Sequence, residues 1–292
     1  MIPNTILISL TEFFANHQNS DFHVLSFIPL GGGSINEVYL LRTSIGNFCL
    51  KYNRRDAFPK MFETEAMGLK RLSLSGSIRI PGVIVNKSLE DHSFILLEYI
   101  EAVPQVKGFW QDFGRSLALL HRNYNQLYGL DYNNYMGSLV QSNCYHSSWV
   151  EFFVEERLDK QVRLALIKGG LNISEQKLFE KLYSRLDEFL PEEPPCLVHG
   201  DLWSGNFIVS EKGKACLIDP AVYFGNREVD LAMSTLFGGF SPEFYDSYNE
   251  EYPLIKGWKD RLDLYNLYPL LVHLNLFGTS YLGSILRILR RF

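Results

Sequence analysis

Cysteine is scarce in this chain of 292 residues. The four cysteines are Cys49, Cys144, Cys196 and Cys216, and no two of them form a Cys-X-X-Cys pair. The cysteines are also far apart, so the pattern indicates neither a disulfide framework nor a zinc site. Three of the four lie in apolar, strand-like runs. This pattern predicts buried thiols in a reducing compartment, and the cytoplasm is the expected location.

Long apolar runs and an excess of basic residues are also missing. No run approaches the roughly 20 apolar residues that a membrane-spanning helix needs. The first residues, MIPNTILISLTEFF, are partly apolar but lack the basic segment and the small-residue cleavage site of a signal peptide. Lysine and arginine number 28 against 33 acidic residues. We therefore expect neither a membrane nor a nucleic-acid partner, although a local phosphate-binding site remains possible.

Apolar residues are plentiful, at 46% of the chain with 14% aromatic, and they can fill a large core. The length favours two lobes. Residues 22–99 have the alternation and turns of a strand-rich segment with one helix, and the segment from 106 onward is mainly amphipathic and helical. The change in character near EAVP suggests a linker close to residue 101.

Three features in the first hundred residues point to a phosphate ligand. The stretch LGGGSINEVYL places three glycines between two strands, where backbone N–H groups can approach phosphate oxygens. Lys51 follows within a strand, and Glu65 lies on the apolar side of the next helix, where a carboxylate needs a partner. Each feature alone also fits a flexible hairpin or a surface residue, and Glu63 competes with Glu65 as the partner of Lys51.

The stretch LVHGDLWSGNFIV carries the second group of polar residues. Asp201 can accept a hydroxyl proton, and Asn206 offers a neutral oxygen ligand five residues later. Asp219 ends the apolar run CLID, a position suited to a Mg²⁺ ligand beside a nucleotide. Each acid alone also suits a loop cap. Taken with Lys51 and Glu65, however, the order of these residues is that of a kinase.

The segments HGDLWSGN, IDPAVYFGNREVDLAM and LFGGF resemble the fructosamine-3-kinase, or ketosamine kinase, family. GGGSIN, LALLHR and YPLLVHLNLFG extend the resemblance over nearly the whole chain. The HGDxxxxN pattern is shared with the aminoglycoside and choline kinases. The tryptophan within it and the DPAVYFGNREVDLAM continuation are specific to the ketosamine kinases.

The resemblance implies an α+β, bilobal protein-kinase-like fold, with a β-rich N-lobe at residues 1–100 and a helical C-lobe at 101–292. It also implies ATP- and Mg²⁺-dependent phosphorylation of the 3-hydroxyl of a ketosamine, free or protein-linked. This reaction makes the sugar–amine adduct labile, so it serves deglycation. Asp201 would be the catalytic base, and Asn206 and Asp219 would hold Mg²⁺.

The resemblance also implies the ATP contacts. Lys51 would contact the phosphates and pair with Glu65. The glycine loop and the hinge against adenine would supply the other contacts: Gly31, Gly32, Gly33 and Ser34 over the phosphates, and Glu98, Tyr99 and Ile100 at the hinge. Some members of the family have a cysteine after the glycines that can act as a redox switch. Ser34 occupies that position here, so thiol control at this loop is not expected.

Two residues are candidates for contact with the sugar. Trp203 lies two residues after Asp201 and can present a flat face to a ketose, or it can pack into the helical lobe and support the loop. His273 lies on a leucine-rich helix and can be a core histidine or line the sugar pocket. His199, His121 and Asp230 are expected to have structural roles.

Two other functions fit the same residues. One is a different small-molecule kinase of the same fold, acting on an aminoglycoside, choline or a thiosugar. An aminoglycoside would require an acidic cleft, and choline an aromatic cage. The other is a nucleotide-binding pseudokinase scaffold, which the complete set of Lys51, Asp201, Asn206 and Asp219 disfavours.

Overall fold

Alternating apolar residues in the first third of the chain build a five-stranded antiparallel sheet. The computed structural model describes residues 2–18, 21–31 and 35–292. The sheet has the strand order β1-β2-β3-β5-β4. Its strands are β1 (Val24–Pro29), β2 (Glu37–Thr43), β3 (Gly46–Arg54), β4 (Val83–Ser88) and β5 (His92–Glu98). The central strand β3 carries Lys51, so this lysine lies on a strand that is hydrogen-bonded to a neighbour on each side.

A helix that the sequence reading did not identify covers one face of this sheet. Helix α1 (Asn4–Gln18) buries Ile6, Leu10 and Phe14 against Leu50 and other sheet residues. These positions are four residues apart and therefore share one helical face. The apolar N-terminal run is thus part of the N-lobe core.

Helix α2 (Met61–Ser73) packs on the opposite face of the sheet. Its buried residues Phe62 and Leu69 contact Ile95 and Leu97 of β5. Phe62, Ala66 and Leu69 recur at helical spacing, which is why the sequence pattern located this helix. Glu65 lies on the same helix, between the two buried residues, and this register carries it toward the sheet.

The rest of the chain is mainly helical. Its helices are α3 (Phe109–Leu120), α4 (Trp149–Phe152), a π-helical turn (Phe153–Leu158), α5 (Asp159–Ile167), α6 (Ile173–Tyr183), α7 (Leu186–Phe189), α8 (Glu228–Met233), α9 (Pro242–Glu251), α10 (Trp258–Phe277), a 3₁₀ turn (Thr279–Tyr281) and α11 (Leu282–Leu289). Trp149, Phe152 and Phe153 are buried, as their helical spacing predicts.

Three two-stranded ribbons lie among these helices. They are β6 (Asn134–Met136) with β7 (Leu139–Gln141), β8 (Cys196–Val198) with β11 (Tyr223–Gly225), and β9 (Phe207–Val209) with β10 (Ala215–Leu217). The predicted strands around HGDLWSGN are β8, β9 and β10. The sequence reading did not identify the β6–β7 hairpin.

The expected α+β, bilobal arrangement is confirmed, with a small β-rich lobe followed by a larger helical one. In the part of the chain that the structure describes, no helix is long and apolar enough to cross a membrane. All four cysteines are unpaired thiols. The prediction of buried thiols is confirmed for Cys196 and Cys216. Cys49 is only half-buried, and the prediction is wrong for Cys144, which is exposed because it lies outside any strand.

Candidate active site

Lys51 reaches across the cleft from the N-lobe sheet. Strand alternation sends Leu50 into the core beneath α1 and turns Lys51 to the other face. The Nζ atom of Lys51 lies 2.7 Å from Oε1 of Glu65 and also contacts Oδ1 of Asp219. The lysine side chain is only 8% exposed. One buried ammonium therefore joins Glu65 of α2 to Asp219, two residues past the end of β10.

Glu65, and not Glu63, is the partner of Lys51. Glu63 is exposed on the outer side of α2. Burial raises the pKa of Glu65, and the nearby Lys51 ammonium opposes that rise. Burial alone would lower the pKa of Lys51, but the carboxylates of Asp219 and Glu65 outweigh it and raise the value. The lysine is therefore held in its charged form, the form that can attract phosphate oxygens.

Asp230 on α8 anchors the loop between β8 and β9. Its two carboxylate oxygens accept hydrogen bonds from the backbone N–H groups of His199 and Gly200, at 2.7 and 2.8 Å. His121 Nε2 lies 3.1 Å from Oδ2 of the same carboxylate. Burial alone would raise the pKa of Asp230, but these hydrogen bonds lower it. The structural roles predicted for Asp230 and His121 agree with these contacts.

His199 is buried within the loop. Its Nε2 atom lies 2.9 Å from the carbonyl oxygen of Ile218, and its Nδ1 atom accepts a hydrogen bond from the Asp201 backbone N–H at 3.3 Å. An imidazole that accepts at Nδ1 and donates at Nε2 is neutral. Burial lowers the pKa of His199, which favours the same neutral form. His199 therefore joins the loop to the segment after β10.

Asp201 presents its carboxylate to the cleft beside Asn206. The Asn206 Nδ2 atom donates to the Asp201 carbonyl oxygen at 2.8 Å and to Oδ2 at 2.9 Å. Burial raises the pKa of Asp201 to about 7, and the negative charges of Asp219 and Asp230 contribute to the rise. A carboxylate with a pKa near neutrality can both take and release a proton at physiological pH.

Asp219 has a left-handed backbone, with φ of 54°. Such a conformation costs on the order of 1–3 kcal/mol for a residue with a β-carbon, so its surroundings must hold it. The backbone N–H of Ile218 donates to the Asn206 carbonyl at 3.1 Å, and that of Ala221 donates to the His199 carbonyl at 2.9 Å. The stretch from His199 to Asn206 thereby fixes the residues on both sides of Asp219.

Asn206 and Asp219 form a donor set that suits Mg²⁺. The Asn206 amide nitrogen is directed to Asp201, which leaves its carbonyl oxygen available. The Asp219 side chain is about half exposed, at 47%. Both donors are hard oxygens of the kind that Mg²⁺ prefers. Among the residues that the structure describes, no group of three or more His, Cys, Asp or Glu side chains could hold a metal. The ion would therefore need further oxygens from a substrate or water.

Two cavities meet at these residues. The first, of about 280 Å³, lies below the N-lobe sheet. Its lining includes Gly31 of the glycine loop and the predicted hinge residues Glu98, Tyr99 and Ile100. Apolar side chains form most of the remaining walls: Leu30, Val38, Leu69, Leu97, Ile208 and Ile218. Gly32, Gly33 and Ser34 lie outside the described residues. A mainly apolar cavity at the end of β5 suits an aromatic ring with polar edges.

The Glu98 carboxylate, at the edge of this cavity, is already hydrogen-bonded to other parts of the protein. It accepts a hydrogen bond from Arg79 at 2.8 Å and another from the Gly82 backbone N–H at 3.1 Å. The hinge residues can therefore contact a ring edge through their backbone groups.

The second cavity, of about 230 Å³, contains Asp201. It shares Lys51, Trp203, Asn206 and Asp219 with the first cavity. Residues of the β6–β7 hairpin and of α10 form one side of it: Asn134, Tyr135, Met136, Gly137, Val272, His273, Leu276 and Phe277. Residues of the N-lobe, among them Met61, Thr64 and Glu65 of α2, form the other side. The sequence reading missed the hairpin contribution, and the run YNNYMG was its only local signal. Lys51, Asn206 and Asp219 thus line the boundary between the two cavities, and Asp201 lies beside them in the second cavity.

Trp203 lies at that boundary and lines both cavities. Its ring covers Gly205, where a β-carbon would lie 2.4 Å from the indole, so only glycine fits there. The ring also meets Phe237 edge to face, with centroids 5.8 Å apart. Trp203 is partly buried against the C-lobe core. Its two predicted roles, as a wall of the sugar site and as a support for the loop, are therefore geometrically compatible.

His273 lies in a small aromatic group at the end of the second cavity. Its ring centroid is 4.7 Å from that of Phe237, 5.4 Å from that of Phe277 and 5.1 Å from that of Tyr281. The Nδ1 atom lies 2.7 Å from the Pro269 carbonyl oxygen. Burial lowers the pKa of His273, which favours a neutral ring that donates at Nδ1. The Nε2 atom is then an acceptor for a hydroxyl or amine.

Comparison with known proteins agrees with this geometry. The sequence profile of a family described as fructosamine kinase matches residues 7–292. A protein of Enterococcus faecium named as a probable ketoamine kinase is 40% identical over 269 residues, which cover 91% of this chain and 94% of that protein. A chloroplastic protein-ribulosamine 3-kinase of Oryza sativa is 38% identical, with coverage of 89% and 76%.

A solved structure shares the whole fold. It is a crystal structure of a Thermobifida fusca protein assigned as a fructosamine-3-kinase. It superposes with a TM-score of 0.88 and 32% sequence identity, covering 99% of this chain and 98% of that one.

Proposed function

This chain belongs to the fructosamine kinase family, and from that membership and the geometry of the cleft we propose that it phosphorylates the 3-hydroxyl of ketosamines with ATP. The observation that carries the proposal is the position of Asp201. Its carboxylate opens into the second cavity, beside the Lys51 and Asp219 pair that this cavity shares with the first. A phosphate donor and a hydroxyl acceptor would therefore meet at this carboxylate.

The first cavity is the proposed ATP site. Its apolar walls suit adenine, and the backbone from Glu98 to Ile100 lines this cavity. The Glu98 N–H donates to the Gly82 carbonyl at 2.8 Å, so the other backbone groups of this stretch would meet the ring edge. Lys51 is charged and reaches the boundary between the cavities, where the transferred phosphate would lie. Gly31 lines this cavity and would lie close to the phosphates. Gly32, Gly33 and Ser34, outside the described residues, are proposed as further phosphate contacts.

Asn206 and Asp219 are the proposed holders of Mg²⁺, which when bound neutralises phosphate charge and orients the leaving group. Asn206 has a second task in this arrangement. Its amide nitrogen donates to the Asp201 carboxylate, so a single side chain orients the base and offers an oxygen to the metal. The Lys51 ammonium holds the Asp219 carboxylate in place from the other side.

Asp201 would accept the proton of the 3-hydroxyl as that oxygen attacks the terminal phosphate. Positioning contributes most of the catalysis in phosphoryl transfer, and the base orients the attacking oxygen. Trp203 and His273 are the proposed contacts to the sugar. The indole can cover the C–H face of the ketose, and the neutral imidazole can accept from a hydroxyl or from the amine.

The charges in the cleft favour a ketosamine over an aminoglycoside. Among the described residues, the acids that line the second cavity are Glu65, Asp201 and Asp219. Glu65 is paired with Lys51, and the other two are assigned to the reaction. No further acid is left to bind a polycationic acceptor, which an aminoglycoside would require.

A turnover assay tests the proposal. ADP release would be measured with ribulosamine and fructosamine adducts of a simple amine, and in parallel with kanamycin, choline and the unmodified sugars. We expect turnover with one or both ketosamines, dependence on Mg²⁺, and loss of activity in excess chelator. Turnover confined to the aminoglycoside or to choline would overturn the assignment, and ATP binding without turnover of any acceptor would favour a scaffold.

A further inference from the structure

The segment after Asp219 has backbone acceptors that no strand satisfies. Pro220, Ala221 and Val222 lie between β10 and β11 and belong to neither. Asp219 itself is in the left-handed region, which a residue with a β-carbon adopts only when neighbouring groups hold it. The carbonyl oxygens of His199 and Asn206 accept two backbone hydrogen bonds from the residues on either side of Asp219. The other hydrogen bonds to this segment come from a different part of the chain.

Two buried side-chain amides of the β6–β7 hairpin donate to this segment. Gln141 Nε2 donates to the Ala221 carbonyl at 3.0 Å, and Asn134 Nδ2 donates to the Val222 carbonyl at 2.9 Å. Both side chains are buried, with relative exposures of 1% and 4%. A buried carbonyl that loses its donor pays its full desolvation penalty, so the segment is expected to shift when either amide is removed.

Other buried groups fix the orientation of these two amides. The Asn134 Oδ1 atom accepts from Gln141 Nε2 and from Asn143 Nδ2, both at 2.9 Å. The Tyr268 hydroxyl donates to Gln141 Oε1 at 2.9 Å. Arg157, fully buried in the π-helical turn, donates to Asn143 Oδ1 at 2.8 Å. Each amide oxygen thus has a donor, and each nitrogen is left to face the Ala221–Val222 carbonyls.

The same hairpin lines the cleft and contacts the N-lobe. Tyr135 and Met136 are part of the wall of the cavity that contains Asp201. The Tyr135 hydroxyl donates to the Pro59 carbonyl at 2.9 Å, just before the helix that carries Glu65. The hairpin therefore links the acceptor cavity, the approach to α2 and the segment after Asp219.

We propose that Gln141 and Asn134 are positioning residues for Asp219. They act through the carbonyls of Ala221 and Val222 and set the direction of the Asp219 carboxylate toward Lys51 and Asn206. The inference rests on the proposed function, in which Asp219 and Asn206 hold Mg²⁺ beside the ATP phosphates. Removing either amide is therefore expected to weaken the contribution of Mg²⁺ to nucleotide binding, and to leave metal-free binding largely intact.

Gln141→Met removes the donor and nearly preserves the length of the side chain. Calorimetric titration of the full chain with a non-hydrolysable ATP analogue gives one Kd with Mg²⁺ and one with chelator. The Kd with chelator divided by the Kd with Mg²⁺ is the ratio that measures the contribution of Mg²⁺ to binding. We expect the ratio to fall at least tenfold, with the metal-free Kd within twofold of wild type. Gln161→Met is the matched control, since Gln161 is a buried amide that pairs with Asn275 and lines neither cavity.

Asn134→Leu is the second variant, chosen because leucine has nearly the shape of asparagine and adds no charge. It removes the donor to the Val222 carbonyl, together with the acceptor of Gln141 and Asn143. It should lower the same ratio. An unchanged ratio in both variants, or an equal fall in Gln161→Met, would overturn the inference while leaving the proposed function intact. Failure of the wild-type chain to bind the analogue with or without Mg²⁺ would overturn both.

Discussion

At the scale of single residues, the reactivity of Asp201 comes from its burial. The structure places this carboxylate near Asp219 and Asp230, and only the Asn206 amide favours its charged form directly. Burial therefore raises its pKa to about 7. A carboxyl group that is more easily protonated in the folded state destabilises the fold once it ionises. The residue proposed as the base is thus maintained at the expense of stability, as is common at active sites.

Asp201→Asn is expected to separate activity from stability. The amide keeps the shape of the side chain but cannot accept the hydroxyl proton, so kcat should fall by roughly three orders of magnitude or more. The melting temperature at pH 8 should stay equal or rise, because a buried negative charge is removed. Steady-state kinetics and a thermal melt measure the two effects. A variant that keeps more than a tenth of wild-type kcat would exclude Asp201 as the base.

The pH dependence of turnover follows from the same pKa. The base must be ionised, so kcat/KM for the ketosamine should increase as pH rises through about 7 and then level off. The linked effect on stability has the opposite sign. The raised pKa of Asp201 favours the folded state at low pH, and this contribution is lost as pH rises through about 7. A rate profile that is flat between pH 5.5 and 8.5 would contradict the assignment.

Trp203 allows a second test at the residue scale. Trp203→Ala removes the indole from the cavity wall, and KM for the ketosamine should rise about fivefold to tenfold, the equivalent of one good aromatic contact. Trp149→Ala is the matched control because Trp149 is buried in the C-lobe core and lines neither cavity. It should lower the melting temperature by several degrees and leave KM unchanged. If Trp203→Ala behaves in the same way as the control, Trp203 only supports the loop.

At the scale of elements, the sequence pattern predicted those parts whose periodicity is regular. The N-lobe strands alternate and α2 repeats at helical spacing, so Lys51 and Glu65 could be paired before the structure was known. The β6–β7 hairpin could not be predicted, because each of its strands has only three residues. Its hydrogen bonds to the Ala221 and Val222 carbonyls come from side chains and leave no periodic pattern in the sequence. Burial of Arg157 among aromatic rings likewise leaves no local pattern, since Tyr223 and Tyr268 are distant in the chain and only Phe152 is nearby.

The ion pairs that Lys51 of β3 forms with Glu65 of α2 and with Asp219 can be tested by replacing the lysine. Lys51→Met removes the charge that pairs with Glu65 and Asp219, and kcat/KM for ATP should fall by at least a hundredfold. The fold should survive, because the buried Glu65 carboxyl can take up a proton. Lys70→Met is the control, since Lys70 is exposed on the same helix. A wild-type kcat/KM for Lys51→Met, measured with saturating ketosamine, would show that the pair has no role in ATP use.

At the scale of the whole molecule, the candidate site exists only where the lobes meet. Lys51 and Glu65 belong to the N-lobe, and Asp201, Asn206 and Asp219 to the C-lobe. Their order in the sequence predicted the set, because a kinase requires each of these groups at one place. The division of the cleft into two cavities could not be predicted in the same way. It depends on Trp203, the hairpin and α10, which are brought together only by tertiary packing.

The central claim is that this cleft transfers phosphate to one hydroxyl of a ketosamine. The most direct measurement is the position of the phosphoryl group in the product, determined by ³¹P–¹H correlation NMR after turnover with ATP, Mg²⁺ and a ribulosamine or fructosamine. The account predicts a single phosphate on the oxygen of carbon 3, formed in step with ADP, and no product from Asp201→Asn. A phosphate on another hydroxyl, or equal product from Asp201→Asn, would contradict it.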